Sequence, residues 1–397
     1  MTRPLRVVFF HIHTGEEYYG GAPKMLFRLL SSLDSDRFAP VLLSPNEGYL
    51  CKQVRKLNID VKIVPFKGAL DTYRQGLLSD PKIMIPALFR MLQYNFEARK
   101  CLQSADIIWC QNLRAVLTVF PHLQVSQTPT IWNIGLGLNS EGTIRYLHRV
   151  ALATVDYVFI ESEEQANRIF DSDVHEQYRE KFTVFHKGID VSKFDPSRLS
   201  DPTNTDEFRI GTAVSLTPRK GIEYLIDAVP DLVEENENVK VLIAGQTPKE
   251  DETYADKLRN QVKETGIEEY VEFLGWVDEM PEYLNTLDVF VLPSLNEGIP
   301  GAVREALAME VPVIATNVGG TPEVVIHKST GLLIEPKDSE QIVESVIFFM
   351  RNPSEADRMA REGRKHVVDS FSMENYVQKY EEFLSEVGNE TKSPNGE

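Results

Sequence analysis

Two glutamates, Glu297 and Glu305, stand eight positions apart in the stretch EGIPGAVREALAMEVPVIATNVGGTPE, residues 297–323. The run before the first, DVFVLPS, reads as a buried parallel strand, and GAVREALAM, which holds the second, reads as a helix. Gly298, Pro300 and Gly301 join the two in a tight strand-to-helix turn. Such a turn offers backbone N–H groups and the positive end of a helix dipole, a setting that suits a phosphate. Carboxylates beside a phosphate site suit hydroxyls. The expected ligand therefore carries both, as a nucleotide sugar does. Both carboxylates could instead be simply solvated, but a Gly-x-Pro-Gly turn is a poor place for an incidental side chain.

Basic groups are expected nearby. In SLTPRKGIEYLIDAV, Lys220 sits at the start of a helix with Arg219 beside it. A cation there is unfavourable unless an anion compensates, and a diphosphate between Lys220 and the turn amides would do so. Arg219 either shares that role or points to solvent. After the first strand, HTGEEYYGGAPKMLFRLL places Gly20 and Gly21 ahead of a helix, where they permit close approach of backbone to ligand. A plain βα loop is the alternative. In TNVGGTPEVV, Thr321 or Gly320 could cap a short helix with Pro322 at its first position.

The 297–305 block resembles the E-x7-E region of the retaining glycosyltransferases with the GT-B fold, specifically the large family 4. The likeness is close over about 208–345 and loose over the first half. It implies that Glu297 contacts the transferred sugar and Glu305 the ribose hydroxyls. The amides of Gly298, Ile299, Gly301 and Ala302, in the turn shaped by Pro300, would hold the diphosphate. Gly20 and Gly21 would approach the donor from the N-terminal side, and Gly319, Gly320 and Glu323 would lie near it. The implied activity moves a sugar from a nucleoside-diphosphate sugar to a hydroxyl acceptor (glycan, lipid-linked or small molecule) with retention of configuration, a hexosyltransferase type of reaction.

Several positions depart from the family pattern. Ser215 stands where an arginine five residues before the lysine is usual. Asn133, in TPTIWNIGLG, stands where many relatives carry a histidine near the acceptor; an amide bonds a hydroxyl but shuttles no proton. His11 and His13 could stand in, or be structural. Lys187 replaces an asparagine, and Glu310 replaces a turn glycine, which suggests a turn there without positive φ. Two other readings stay open: a nucleotide-sugar epimerase or other GT-B enzyme, and a non-catalytic nucleotide-sugar binding subunit of a synthase complex. The epimerases lack this glutamate pair, and a phosphorylase would need a pyridoxal lysine context that is not seen.

No metal is expected. The Asp-Ser-Asp triplets at 34–36 and 171–173 are accounted for by turn chemistry. Basic groups and helix dipoles would neutralise the diphosphate, and no cofactor beyond the donor is called for.

Short apolar runs alternating with helical patterns predict two Rossmann-like α/β domains with parallel sheets facing across a cleft. The boundaries expected are 1–194 for an N-terminal acceptor domain, 195–207 for a polar Pro- and Asp-rich linker and 208–371 for the donor domain. A cross-over helix at 372–388 returning to the N-terminal domain is implied by the resemblance, and 389–397 is an apolar-free tail expected to be disordered. A net charge of −18 argues against nucleic acid as a partner. Cys51, Cys101 and Cys110 have neither zinc spacing nor a disulfide framework and read as free thiols of a reducing, cytoplasmic compartment. The first apolar run is too short for a signal h-region and reads as a strand. Residues 81–100, PKIMIPALFRMLQYNFEARK, are apolar, aromatic and basic at helical spacing. They could make a peripheral contact with the cytoplasmic membrane face. A buried helix is the alternative, which the acidic net charge favours. Oligomeric state, sugar, nucleobase and acceptor are not legible.

Overall fold

The computed structural model describes residues 3–12, 21–67, 81–134, 143–200 and 206–390. The chain divides into two compact units, Met1–Lys187 with Tyr376–Glu397, and Gly188–Asn375. Each is built on a wholly parallel sheet.

The first unit holds β1 (Leu5–Phe10), β2 (Phe38–Ser44), β3 (Asp60–Ile63), β4 (Ile107–Cys110), β5 (Thr130–Asn133), β6 (Tyr157–Ile160) and β7 (Phe182–Val184), in the order β3-β2-β1-β4-β5-β6-β7. The second holds β8 (Phe208–Ala213), β9 (Val239–Ala244), β10 (Val271–Gly275), β11 (Val289–Leu292), β12 (Val313–Thr316) and β13 (Leu332–Ile334), in the order β10-β9-β8-β11-β12-β13. The first apolar run and DVFVLPS, both expected to be strands, are β1 and β11. The reason is burial: helices cover both faces of such a sheet, so its strands read as continuous apolar sequence. Val7 through Phe10 and Val289 through Leu292 are almost wholly buried.

The C-terminal helix Met373–Glu390 packs on the first unit from Tyr376 onward. Tyr380 and Phe383 meet Phe159 with ring centroids 5.2 and 4.9 Å apart, and Glu381 pairs with Arg37 at 2.8 Å.

Several local expectations need correction. The division between units falls at Lys187/Gly188, not at 195–207. Phe194 belongs to the core of the second unit, and Asp195 pairs with Arg364 at 3.2 Å while capping the turn Pro196–Arg198. The polar composition that suggested a linker supplies that cap instead. Residues 201–205 lie outside the described residues.

Glu310 does adopt positive φ, +56°. It follows the helix Gly301–Ala308 and closes it as a Schellman turn. The Glu310 N–H donates to the Leu307 carbonyl and the Val311 N–H to the Ala306 carbonyl, each at 3.0 Å. Two good hydrogen bonds hold the left-handed conformation that glycine would take without strain.

Helix Pro81–Gln103 is not a buried helix. Tyr94, Ala98 and Leu102 face the core, whereas Leu88, Phe89, Leu92 and Phe96 are each more than half exposed. Among the described residues, no helix is long and apolar enough to cross a membrane. The apolar-free tail beyond residue 390 lies outside the described residues.

Candidate functional site

In the second sheet the chain runs outward from β8 to β10, then returns to the centre and runs the other way from β11 to β13. Such a switch point leaves a crevice at the carboxyl ends of the two central strands, where open α/β sheets bind ligands. The loops after β8 and β11 carry Lys220 and Glu297.

Glycine lets these loops close on each other. Lys220 ends the 3-10 turn Pro218–Lys220, and Gly221 follows at φ +61°. A Cβ at Gly221 would lie 2.2 Å from the Pro293 carbonyl oxygen, so only glycine fits. The Leu295 N–H donates to the Arg219 carbonyl at 2.8 Å, tying the loops together. A third loop, after β12, clamps the same backbone. A Cβ at Gly319, whose φ is +53°, would come within 1.9 Å of the Glu297 carbonyl oxygen, and the Gly320 N–H donates to the Gly298 carbonyl at 2.9 Å. Thr316 Oγ1 donates to the Ser294 carbonyl at 2.5 Å.

The Glu297 carboxylate lies inside this frame, its side chain 7% exposed. Its Oε1 accepts from Lys220 Nζ and, at 2.6 Å, from Ser294 Oγ. Arg219 Nη1 lies 3.8 Å from Oε2 and donates to the Asn296 carbonyl at 3.3 Å. The Lys220 side chain is 12% exposed, and this burial pulls its ammonium below the ordinary lysine range, with Glu297 opposing the shift. The anion that compensates Lys220 in this structure is therefore Glu297. The Arg219 side chain is largely exposed, while its guanidinium reaches the Glu297 loop.

Helix Gly301–Ala308 begins directly after this loop, capped by Pro300 without a side-chain hydrogen bond. The N–H groups of Gly301, Ala302 and Val303 have no acceptor within the helix, as in any first turn. Neither Gly298 nor Gly301 adopts positive φ. A Cβ on Gly298 would meet nothing within 4 Å, and one on Gly301 only Arg304 Nη2 at 4.0 Å. These glycines leave the approach to the amides open. Glu305 lies half-buried on the same helix, while Val303, Ala306 and Leu307 anchor it in the core. Gly320 caps the helix Thr321–Val324, in which Pro322 is the second residue.

The remaining candidates belong to the first unit. Asn133 ends β5 and is half-buried; His11 follows β1 and is buried. Gly21 opens the helix Gly21–Ser32, while Gly20 and His13 lie outside the described residues. Lys187 pairs with Glu161 at 2.5 Å. In the first Asp-Ser-Asp triplet, the Asp36 N–H donates to Asp34 Oδ1 at 2.9 Å; in the second, Asp171 and Asp173 pair with Arg145 and Arg149. No cluster of three or more metal-ligating side chains occurs among the described residues.

Sequence reasoning missed Ser294 and Thr316, which hold Glu297 and its loop. A hydroxyl three positions before the glutamate was the available signal. It also missed the pairing of Lys220 with Glu297 across 77 residues.

A parallel α/β crevice with two cations, a buried carboxylate and a helix N-terminus is the equipment of a phosphate- and hydroxyl-binding site, and it stands on the second unit of a chain whose two parallel-sheet units are those of a GT-B fold. Residues 195–366 match the family model described as Glycosyl transferases group 1. The chain is similar to a GDP-mannose-dependent alpha-(1-6)-phosphatidylinositol monomannoside mannosyltransferase of Mycobacterium tuberculosis, 30% identical over 212 residues, which are 50% of this chain and 54% of that protein. The match thus spans about half of that relative's length. An uncharacterized glycosyltransferase of Methanocaldococcus jannaschii is 27% identical over 332 residues, 77% of this chain and 82% of the relative. Among solved structures, Anabaena HepE in complex with UDP superposes with TM-score 0.74 at 19% identity, covering 96% of this chain and all of that one. A glycosyltransferase from Rickettsia africae gives 0.76 at 16% identity, covering 97% and 99%. These last two likenesses show the fold.

Proposed function

We propose that the protein transfers a sugar from a nucleoside-diphosphate sugar to a hydroxyl acceptor with retention of configuration and without a metal. The observation that carries this reading is the buried Glu297 carboxylate held by Lys220 and Ser294 beside the open N-terminus of helix Gly301–Ala308. The leaving diphosphate takes Lys220, Arg219 and the amides of Gly298, Ile299, Gly301 and Ala302. Glu297, released by Lys220, accepts sugar hydroxyls and favours positive charge at the anomeric carbon. Glu305 accepts from the ribose hydroxyls. The bond from the anomeric carbon to the diphosphate oxygen breaks, the acceptor oxygen bonds to that carbon, and the acceptor proton passes to the departing phosphate. Acceleration then comes from positioning and electrostatics.

Support also comes from the group 1 match over 195–366 and from relatives named as glycosyltransferases. Thermal shift with UDP, GDP, ADP and CMP tests donor binding without any acceptor. A nucleotide at 100 times its dissociation constant stabilises by about 2.7 kcal/mol. One nucleotide should stand out, and Glu305→Ala should abolish its effect. Nuclear magnetic resonance of the product of the matching nucleotide sugar then reads the anomeric configuration. Glu297→Ala should lower turnover by on the order of 100-fold or more. Turnover within a few-fold of wild type would remove Glu297 from this role. A protein that binds nucleotide but neither hydrolyses nor transfers the sugar would be the binding subunit instead.

A further inference from the structure

Helix Pro81–Gln103 carries an apolar face that sugar transfer leaves unused. Leu88, Phe89, Leu92 and Phe96 are 55, 65, 52 and 64% exposed. At about 100° per residue, these four fall within one arc of about 100° on the helix surface. The core-facing residues Tyr94, Ala98 and Leu102 occupy a different arc, with Tyr94 packed on Phe10 and Phe66. The exposed stripe is therefore not a by-product of core packing. A helix needing only one buried face would gain solubility from polar residues there.

Charge identifies the occupant. The whole chain has a net charge of −18, yet this helix carries Lys82, Arg90, Arg99 and Lys100 against the single acid Glu97. That acid is itself paired with Lys67 at 2.7 Å. Arg99 falls in the same arc as the apolar residues, its guanidinium 4.3 Å from the centre of the Phe96 ring, and Lys100 borders that arc. Aromatic and aliphatic side chains interleaved with long basic ones, on an otherwise acidic molecule, match the interface of an anionic bilayer. The apolar groups enter the acyl boundary while the basic heads stay with the headgroups. A second copy of the same helix would bring like charges together. We propose that the 88–100 face docks on an anionic lipid surface, the remaining negative charge of the chain turning its other faces away. This proposal stands apart from the transfer reading and requires no donor.

Flotation of the full chain with vesicles tests it. Two vesicle types are compared, pure phosphatidylcholine and phosphatidylcholine with about one third phosphatidylglycerol. The protein should float with the anionic vesicles, and the bound fraction should fall as salt is raised. Phe89→Ser with Phe96→Ser should lower partitioning by roughly tenfold or more. Arg99→Glu with Lys100→Glu should abolish the preference for anionic lipid. All four positions are on the surface, so circular dichroism should show both variants folded, and either one suffices if the other fails to fold. Absence of flotation by the wild type, or equal flotation by the variants, would overturn the proposal. So would sedimentation showing a wild-type dimer that both pairs of substitutions convert to monomer, which assigns the face to a second copy.

Discussion

Replacing Glu297 by glutamine strands a lysine. Lys220 is held by Glu297, and its side chain is 12% exposed. Without the carboxylate, the ammonium has two ways to respond. It can stay charged and unmatched in a poorly hydrated place, which costs about 3–5 kcal/mol. Alternatively it can lose its proton, which about three pH units below the ordinary lysine value costs about 4 kcal/mol. The cheaper route prevails, so Glu297→Gln should destabilise the second unit by about 3–4 kcal/mol. For a unit of this size that lowers Tm by about 6–16 °C, readable by scanning calorimetry without nucleotide. Removing the stranded charge as well, in Glu297→Gln with Lys220→Met, should bring stability back to within about 1 kcal/mol of wild type. Turnover should stay lost in both.

The pH dependence has a definite sign. In the single variant Lys220 is depressed in the folded state and ordinary in the unfolded one, so the unfolded chain binds more protons below the ordinary lysine value. Stability of the variant should therefore rise with pH toward about 10, and its deficit should narrow. A single variant within 1 kcal/mol of wild type would refute the reasoning, and so would a double variant as unstable as the single one.

Four further outcomes can be checked by denaturant unfolding and nucleotide binding. Gly319→Ala should cost about 2–4 kcal/mol and weaken nucleotide binding, because the added Cβ meets the Glu297 carbonyl and the backbone is left-handed. Ser294→Ala should cost about 1–2 kcal/mol by leaving Glu297 one donor short. Glu310→Gly should stabilise by up to about 1 kcal/mol, since it relieves φ +56° and loses only a 3.6 Å surface pairing with Arg364. His148 is buried against Trp132 and Phe170, and burial lowers it to about 4. The unfolded histidine takes up a proton near 6.5 and the folded one does not, so His148 should lose about 3 kcal/mol of stability as pH falls from about 6.5 to 4; His148→Phe should flatten the slope by that amount and leave the contribution of His122, which burial also lowers.

The strands were legible because a sheet covered on both faces writes itself as uninterrupted apolar residues, VVFF in β1 and VFVL in β11. Glu297, Glu305 and Lys220 stood out because charged groups beside strand-to-helix turns seldom lack a reason. The partners of Glu297 were not legible. Ser294 lies three residues away, and nothing local says its hydroxyl points at the carboxylate; Lys220 comes from a loop 77 residues earlier. Gly221 and Gly319 were visible as glycines, but the carbonyls that exclude a side chain at each belong to other loops. At Glu310 residue type misled, because two closing hydrogen bonds outweighed the preference for glycine. At helix Pro81–Gln103 the apolar and basic pattern was visible, but which residues face the core was not, because that depends on how Tyr94 seats on Phe10 and Phe66.

The Lys220–Glu297 pair also bears on the order of events under the transfer reading. A buried carboxylate already satisfied by an ammonium is a poor acceptor for sugar hydroxyls, and a satisfied ammonium is a poor ligand for phosphate. Only a ligand carrying both groups, at the spacing of a nucleotide sugar, replaces both halves of the pair at once. A nucleoside diphosphate alone takes Lys220 and leaves Glu297 with Ser294 and the distant Arg219, a buried charge less well matched than before. The sugar thus contributes affinity by relieving a cost that the diphosphate imposes, and the product nucleotide, lacking the sugar, restores that cost and is released more readily than the donor.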